Sequence, residues 1–111
     1  MPGKSVLIVE DEGIVLLNLK SILEYRGYSV ADAVASGEDA VRSVERKRPD
    51  IVLMDIVLDG PSDGIEATKR ILALCDVPVV YMTAYSGQDV LQRAKTTNPY
   101  GFLVKPIGEN E

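Results

Sequence analysis

A chain of 111 residues, 46% hydrophobic and 26% charged, has the composition of an ordinary globular domain and the length for one core, not two. Seventeen acidic against twelve basic residues give a net charge of −5, a balance that argues against binding to nucleic acid or an anionic membrane surface, since both require clustered cations. With no histidine and the single Cys75, zinc sites, Ser-His-Asp triads, Cys-His nucleophiles and internal disulfides are excluded, so any metal must be held by oxygen.

The first candidate strand, S-V-L-I-V at 5–9, is cut off at once by Glu10, Asp11 and Glu12, too early for a signal-peptide core. A helix is predicted over 13–26, with Ile14, Leu17, Ile22 and Leu23 on one stripe and Gly27 placed to close it with left-handed backbone. The second strand is predicted at 28–34, followed by a helix opened by the capping pair Ser36 and Asp39 and closed by the cations Arg46, Lys47 and Arg48. I-V-L-M at 51–54 is the third strand, and the helix after it, 63–75, begins at Asp63-Gly64 and ends on Cys75 as a small core residue. The fourth strand, 78–82, lies in the longest apolar run, 77–82, which is far short of the roughly 20 residues of a membrane helix and predicts a soluble, cytoplasmic protein. A last capping pair, Ser86 and Asp89, opens a helix before the fifth strand at 101–104, and Tyr25, Tyr28 and Tyr100 are expected to be partly buried.

Short strands that are apolar on both faces and alternate with helices imply a parallel sheet covered on both sides, and five strands fit the open, doubly wound form. Ligands of such sheets sit beyond the carboxyl ends of the strands. The first strand is followed there by Glu10, Asp11 and Glu12, the third by Asp55, the fourth by Thr83 and Ala84, and the fifth by Lys105 and Pro106. The second contributes nothing comparable, as expected of an edge strand. If the first and third strands are neighbours, Glu10, Asp11 and Asp55 converge and repel one another, and a hard divalent cation such as magnesium would offset the repulsion. Lys105, the Thr83 hydroxyl and backbone N–H groups complete a set suited to a phosphoryl group. No Gly-rich phosphate loop is present, so the phosphoryl group should arrive on something other than a nucleotide, with Asp55 itself the acceptor.

These residues closely resemble the receiver domain of two-component response regulators, through V-L-I-V-E-D-E at 6–12, I-V-L-M-D at 51–55, D-G-I-E-A at 63–67, V-V-Y-M-T-A at 79–84 and G-F-L-V-K-P at 101–106. The resemblance covers nearly the whole chain, and it implies the flavodoxin-like strand order 2-1-3-4-5. It further implies that Asp55 accepts phosphate from a sensor histidine kinase or phosphotransfer protein, and that Glu10, Asp11, Asp55 and the Val57 carbonyl organise magnesium. Thr83 and the Ala84 N–H would hold phosphoryl oxygens, Lys105 would neutralise their charge, and Phe102 would be a switch aromatic that follows Thr83. Val57 and Tyr85 leave an attacking water without polar guidance, so self-dephosphorylation is expected to be slow.

The sequence departs from the family pattern at two places. The loop after Asp55 is one residue longer, with an Asp59-Gly60-Pro61 turn inside it and Leu58 where a proline is usual. After Lys105-Pro106-Ile107 the chain ends without the family's fifth helix, so residues 1–111 are expected to form one receiver domain truncated before its last helix, with a longer natural chain or a homodimer covering the bared face. Taken singly, Asp11 reads as a helix N-cap, Glu10 as a loop acid, Lys105 as a surface lysine, Thr83 as a turn residue and Phe102 as core packing. Their joint placement at strand ends carries the functional reading. Alternatives are the receiver segment of a hybrid sensor kinase, an unphosphorylated pseudo-receiver, and a magnesium-dependent aspartyl-phosphate phosphatase. The phosphatase is disfavoured because Val57 stands where a general acid is wanted. Neither an external substrate nor direct nucleic-acid or membrane binding is expected, and the output partner or domain is not encoded in these residues.

Overall fold

A computed structural model of the chain describes residues 4–58, 63–83 and 88–105. The strands β1 (Ser5–Val9), β2 (Ser29–Val34), β3 (Ile51–Asp55), β4 (Val79–Thr83) and β5 (Gly101–Val104) alternate with the helices α1 (Gly13–Tyr25), α2 (Gly37–Arg46), α3 (Gly64–Leu74) and α4 (Gln88–Lys95). Every strand pairing is parallel and the order is β2-β1-β3-β4-β5, the open doubly wound, flavodoxin-like sheet expected from the sequence.

The apolar runs are continuous because both sheet faces are covered. Leu7, Val9, Val52, Met54, Val79 and Tyr81 face the core built with α2, α3 and Ala94 of α4. Val6, Ile8, Leu53 and Met82 face the opposite side, where the one helix contributing among the described residues is α1. On that side Ile51, Val80 and Leu103 stay only partly buried. Residues beyond Lys105, where the fifth helix was expected to be missing, lie outside the described part, as do the Asp59-Gly60-Pro61 turn and the Ser86 cap.

Helix ends follow the sequence closely. After α1, Gly27 adopts φ of 92°, with its N–H bonding to the Glu24 carbonyl and the Tyr28 N–H to that of Leu23, a Schellman closure. Ser36 Oγ accepts from the Asp39 N–H at 3.1 Å, and Asp63 Oδ1 caps α3 by accepting from the Glu66 N–H at 2.9 Å. The α1 stripe differs from expectation. Ile14 and Leu17 are 86% and 66% exposed, while Leu19 is buried and Val15, Leu16 and Leu23 pack beside it. Residues 14–17 are apolar all round, so periodicity offered more than one stripe, and contact with the sheet selects 15, 16, 19 and 23. The tyrosines expected to be partly buried, Tyr25, Tyr28 and Tyr100, are instead exposed, and among the described residues Tyr81 is the fully buried tyrosine. Cys75 is half-buried against the core.

Candidate phosphoryl-acceptor site

The parallel register carries each candidate residue to the same end of the sheet. Pairing of β1 with β3 matches Val9 to Met54, so Glu10 and Asp55 follow in adjacent strands. The β3–β4 ladder runs on to Asp55 opposite Met82, and the Ile56 N–H bonds to the Met82 carbonyl at 3.1 Å. The β4–β5 ladder ends with Thr83 opposite Val104, after which the Lys105 N–H donates to the Thr83 carbonyl at 2.9 Å. Backbone hydrogen bonds thus hold the acid, the hydroxyl residue and the lysine at three neighbouring strand ends.

Side chains complete the centre. Lys105 Nζ donates to Asp55 Oδ2 at 2.9 Å and lies 2.5 Å from Glu10 Oε1. The other oxygens of the two acids accept backbone N–H bonds: Asp55 Oδ1 from Val57 at 3.2 Å and Glu10 Oε2 from Glu12 at 3.0 Å. Glu10, Asp55 and Thr83 are all buried. Burial pushes the Asp55 carboxyl up to about 6; the Lys105 hydrogen bond opposes this and the charge of Glu10 adds to it. Burial alone would lower the Lys105 ammonium, but its contacts with Glu10 and Asp55 outweigh that and raise it.

One ammonium therefore faces more negative charge than it neutralises. Glu10, Asp11 and Asp55 present oxygens that all lie within 4.8 Å of one another. Glu10 Oε1 is buried without a hydrogen bond of acceptable geometry, despite its proximity to the ammonium. An unsatisfied buried oxygen within an all-oxygen donor set fits a hard divalent cation. Val57 is 68% exposed at the rim of this centre, and Phe102 rests against the Tyr81 ring. Ala84 and Tyr85 lie outside the described residues.

Gly64 is a site residue that the sequence marks as a helix start and as part of the D-G-I-E-A string, with no role of its own. Its N–H donates to the Ile56 carbonyl at 2.8 Å, and a Cβ built on it would fall 2.0 Å from the Asp55 carbonyl oxygen. The backbone of α3 therefore touches the backbone that carries Asp55. A glycine directly after a capping aspartate, where alanine would favour the helix, was the available signal.

An acid, a lysine and a hydroxyl residue gathered at the strand ends of an open 2-1-3-4-5 sheet place the chain in the class of flavodoxin-like α/β domains, which bind their ligands in the crevice beyond the carboxyl ends of the strands. The chain belongs to the response regulator receiver domain family, whose model matches residues 6–111. It is 35% identical over 104 residues to the transcriptional regulatory protein PdtaR of Mycobacterium tuberculosis, an alignment that takes in 94% of this chain and 50% of that protein. The chain thus spans about half the length of that relative. Among solved structures, the signal receiver domain of a modulated diguanylate cyclase from Desulfovibrio desulfuricans is 42% identical with a TM-score of 0.90, covering 96% of this chain and 84% of that one. The receiver domain of a sensor histidine kinase from Pseudomonas aeruginosa, solved with a magnesium ion coordinated in its active-site cleft, is 34% identical with a TM-score of 0.86. That match covers 97% of this chain and 89% of that one.

Proposed function

We propose that this receiver domain accepts a phosphoryl group on Asp55 from the phosphohistidine of a sensor kinase or phosphotransfer protein and thereby switches an output. The observation that carries the reading is the Asp55 carboxylate, buried at the end of a central strand and hydrogen-bonded to Lys105 at 2.9 Å. An oxygen of Asp55 forms the new bond to phosphorus as the bond from phosphorus to the donor nitrogen breaks, and the leaving imidazole keeps that electron pair and is protonated by solvent. The clustered oxygens of Glu10, Asp11 and Asp55 are the groups that would hold a divalent cation, magnesium by its preference for oxygen, with the Val57 carbonyl joining them as the family resemblance implies. When bound, that cation supplies positive charge opposite the acids and the phosphoryl oxygens. Lys105, already on Asp55, exchanges its carboxylate partner for a phosphoryl oxygen, and the buried Thr83 hydroxyl with the Ala84 N–H takes another.

Ile14, Leu17 and Val57 are exposed apolar side chains beyond the carboxyl ends of β1 and β3, and they support docking of a protein donor over Asp55. An exposed valine two residues after the acceptor supports a switch over a phosphatase, because nothing there can protonate a leaving group or orient water. Residues 1–111 function in this reading as one receiver domain, whether of a free regulator or of a hybrid kinase. Incubation with magnesium and acetyl phosphate, followed by intact-mass measurement, tests it. A gain of one phosphate in the parent and none in Asp55→Asn is expected. Continuous release of inorganic phosphate would favour the phosphatase, and no gain in the parent would refute the acceptor role.

A further inference from the structure

Tyr81 is the largest fully buried side chain of the described core, and two elements rest on it. Its hydroxyl lies 2.8 Å from Thr97 Oγ1, in the turn that closes α4. Thr97 commits its single hydroxyl hydrogen to the Ala94 carbonyl at 2.6 Å, so Tyr81 is the donor between the two hydroxyls. The ring of Tyr81 stacks with Phe102 of β5 at a centroid separation of 5.8 Å and an interplanar angle of 29°.

Among the described residues α4 is held to the core by Ala94 and the partly buried Val90. Ala94 is its one fully buried side chain among the described residues, whereas α2 and α3 bury five residues each. Its ion pair from Arg93 to Asp63, at 3.3 Å, is solvent-exposed and contributes little. The buried Tyr81–Thr97 bond therefore joins the end of this helix to the sheet, beside the packing of Ala94 and Val90.

We propose that Tyr81 is a positioning residue: its hydroxyl fixes the end of α4, its ring sets where Phe102 rests, and the three side chains move as one unit. Thr83 follows Tyr81 by two residues on the same face of β4, so the unit reaches the phosphoryl pocket at one end and the α4–β5 edge at the other. The mechanical unit stands on geometry alone, and only its response to phosphorylation rests on the proposed function.

Phe102 is the only phenylalanine in the chain, so para-fluorophenylalanine labelling gives a single fluorine NMR resonance that reports on it. Thr97→Val removes the acceptor while keeping the shape, Thr97→Ser keeps the hydroxyl, and Thr96→Val removes a neighbouring exposed hydroxyl that bonds to the Arg93 carbonyl. Thr97→Val is expected to displace the Phe102 resonance and to speed amide exchange of α4 roughly fivefold relative to α2 and α3. Thr97→Ser and Thr96→Val should match the parent in both. An unmoved resonance in folded Thr97→Val, or an equal displacement by Thr96→Val, overturns the unit. Should Thr97→Val fail to fold, Tyr81→Phe is read by α4 exchange, with the same fivefold rise expected and no rise overturning the proposal. Magnesium and acetyl phosphate are then added to the labelled parent. A phosphate gain by mass with a displaced Phe102 resonance supports the link to the pocket, and a gain without displacement overturns it. Absence of any gain counts against Asp55 as acceptor, while the Thr97→Val result still decides whether the unit exists.

Discussion

Gly64→Ala probes how the acceptor's backbone is positioned. The added Cβ would meet the Asp55 carbonyl oxygen at 2.0 Å, and the Asp55 carbonyl carbon and Ile56 Cα at 2.9 Å each. Carbon and oxygen approach comfortably to about 3.3 Å, so helix and strand must separate by roughly 1.3 Å. The obstructing atoms are backbone, held by the Ile56 N–H bond to Met82 and by the Gly64 N–H bond to Ile56, and cannot rotate aside as a side chain would. Alanine elsewhere in a helix gains about 0.5–1 kcal/mol over glycine, but overpacking of this kind costs about 1–3 kcal/mol or more. A net loss of about 2 kcal/mol in urea unfolding is expected. Shared between α3 and the strand, that separation moves the Asp55 backbone by less than about 1 Å, so phosphorylation by acetyl phosphate should slow by at least about tenfold, short of the hundredfold a full 1 Å misplacement can cost. Gly13→Ala is the matched control: nothing lies within 4 Å of its Cβ, so it should be neutral or stabilising by up to about 1 kcal/mol. Gly64→Ala with parental stability and parental phosphorylation would refute the close-approach argument.

The other predictions concern the pocket and its rim. The raised Asp55 value means that the metal-free folded chain holds an extra proton below about 6, so this group's stabilisation is complete below about pH 4 and is lost as pH rises through 6. With solvent at the pocket mouth discounted, the loss is about 2 kcal/mol; urea melts with chelator should show parent falling relative to Asp55→Asn between pH 4 and 7, and parallel curves would contradict it. The exposed Val57 gives an attacking water no polar guidance, so Val57→Gln should shorten the phosphoryl lifetime several-fold in a chase followed by mass, from a parental value well beyond seconds. Ile14→Ala with Leu17→Ala should slow transfer from a phosphohistidine donor while leaving labelling by acetyl phosphate unchanged, since both side chains are exposed and make no part of the acid–lysine centre.

What could be read in advance divides by the kind of physics involved. Acids and a lysine at the ends of apolar runs are legible because polarity interrupts hydrophobicity there, and Glu10, Asp55 and Lys105 meet as that pattern requires. Side-chain polarity places the ends of the third and fourth strands one residue early, since the ladder hydrogen bonds that carry β3 through Asp55 and β4 through Thr83 ignore it. Those extra residues matter, because a side chain inside a ladder is held more firmly than one on a loop beyond it. In α1, a segment apolar on all sides left the choice of buried stripe to the sheet, and the misread Ile14 and Leu17 turned out to be the exposed pair. Gly64 and Tyr81 act through shape, one by lacking a side chain where backbones touch and the other by filling the space between β4, α4 and Phe102. Neither role leaves a periodic mark, because each depends on a neighbour remote in the chain. The chemistry of the pocket is therefore written in residue types, while the stiffness with which the fold presents Asp55 is set by contacts that only the folded arrangement reveals.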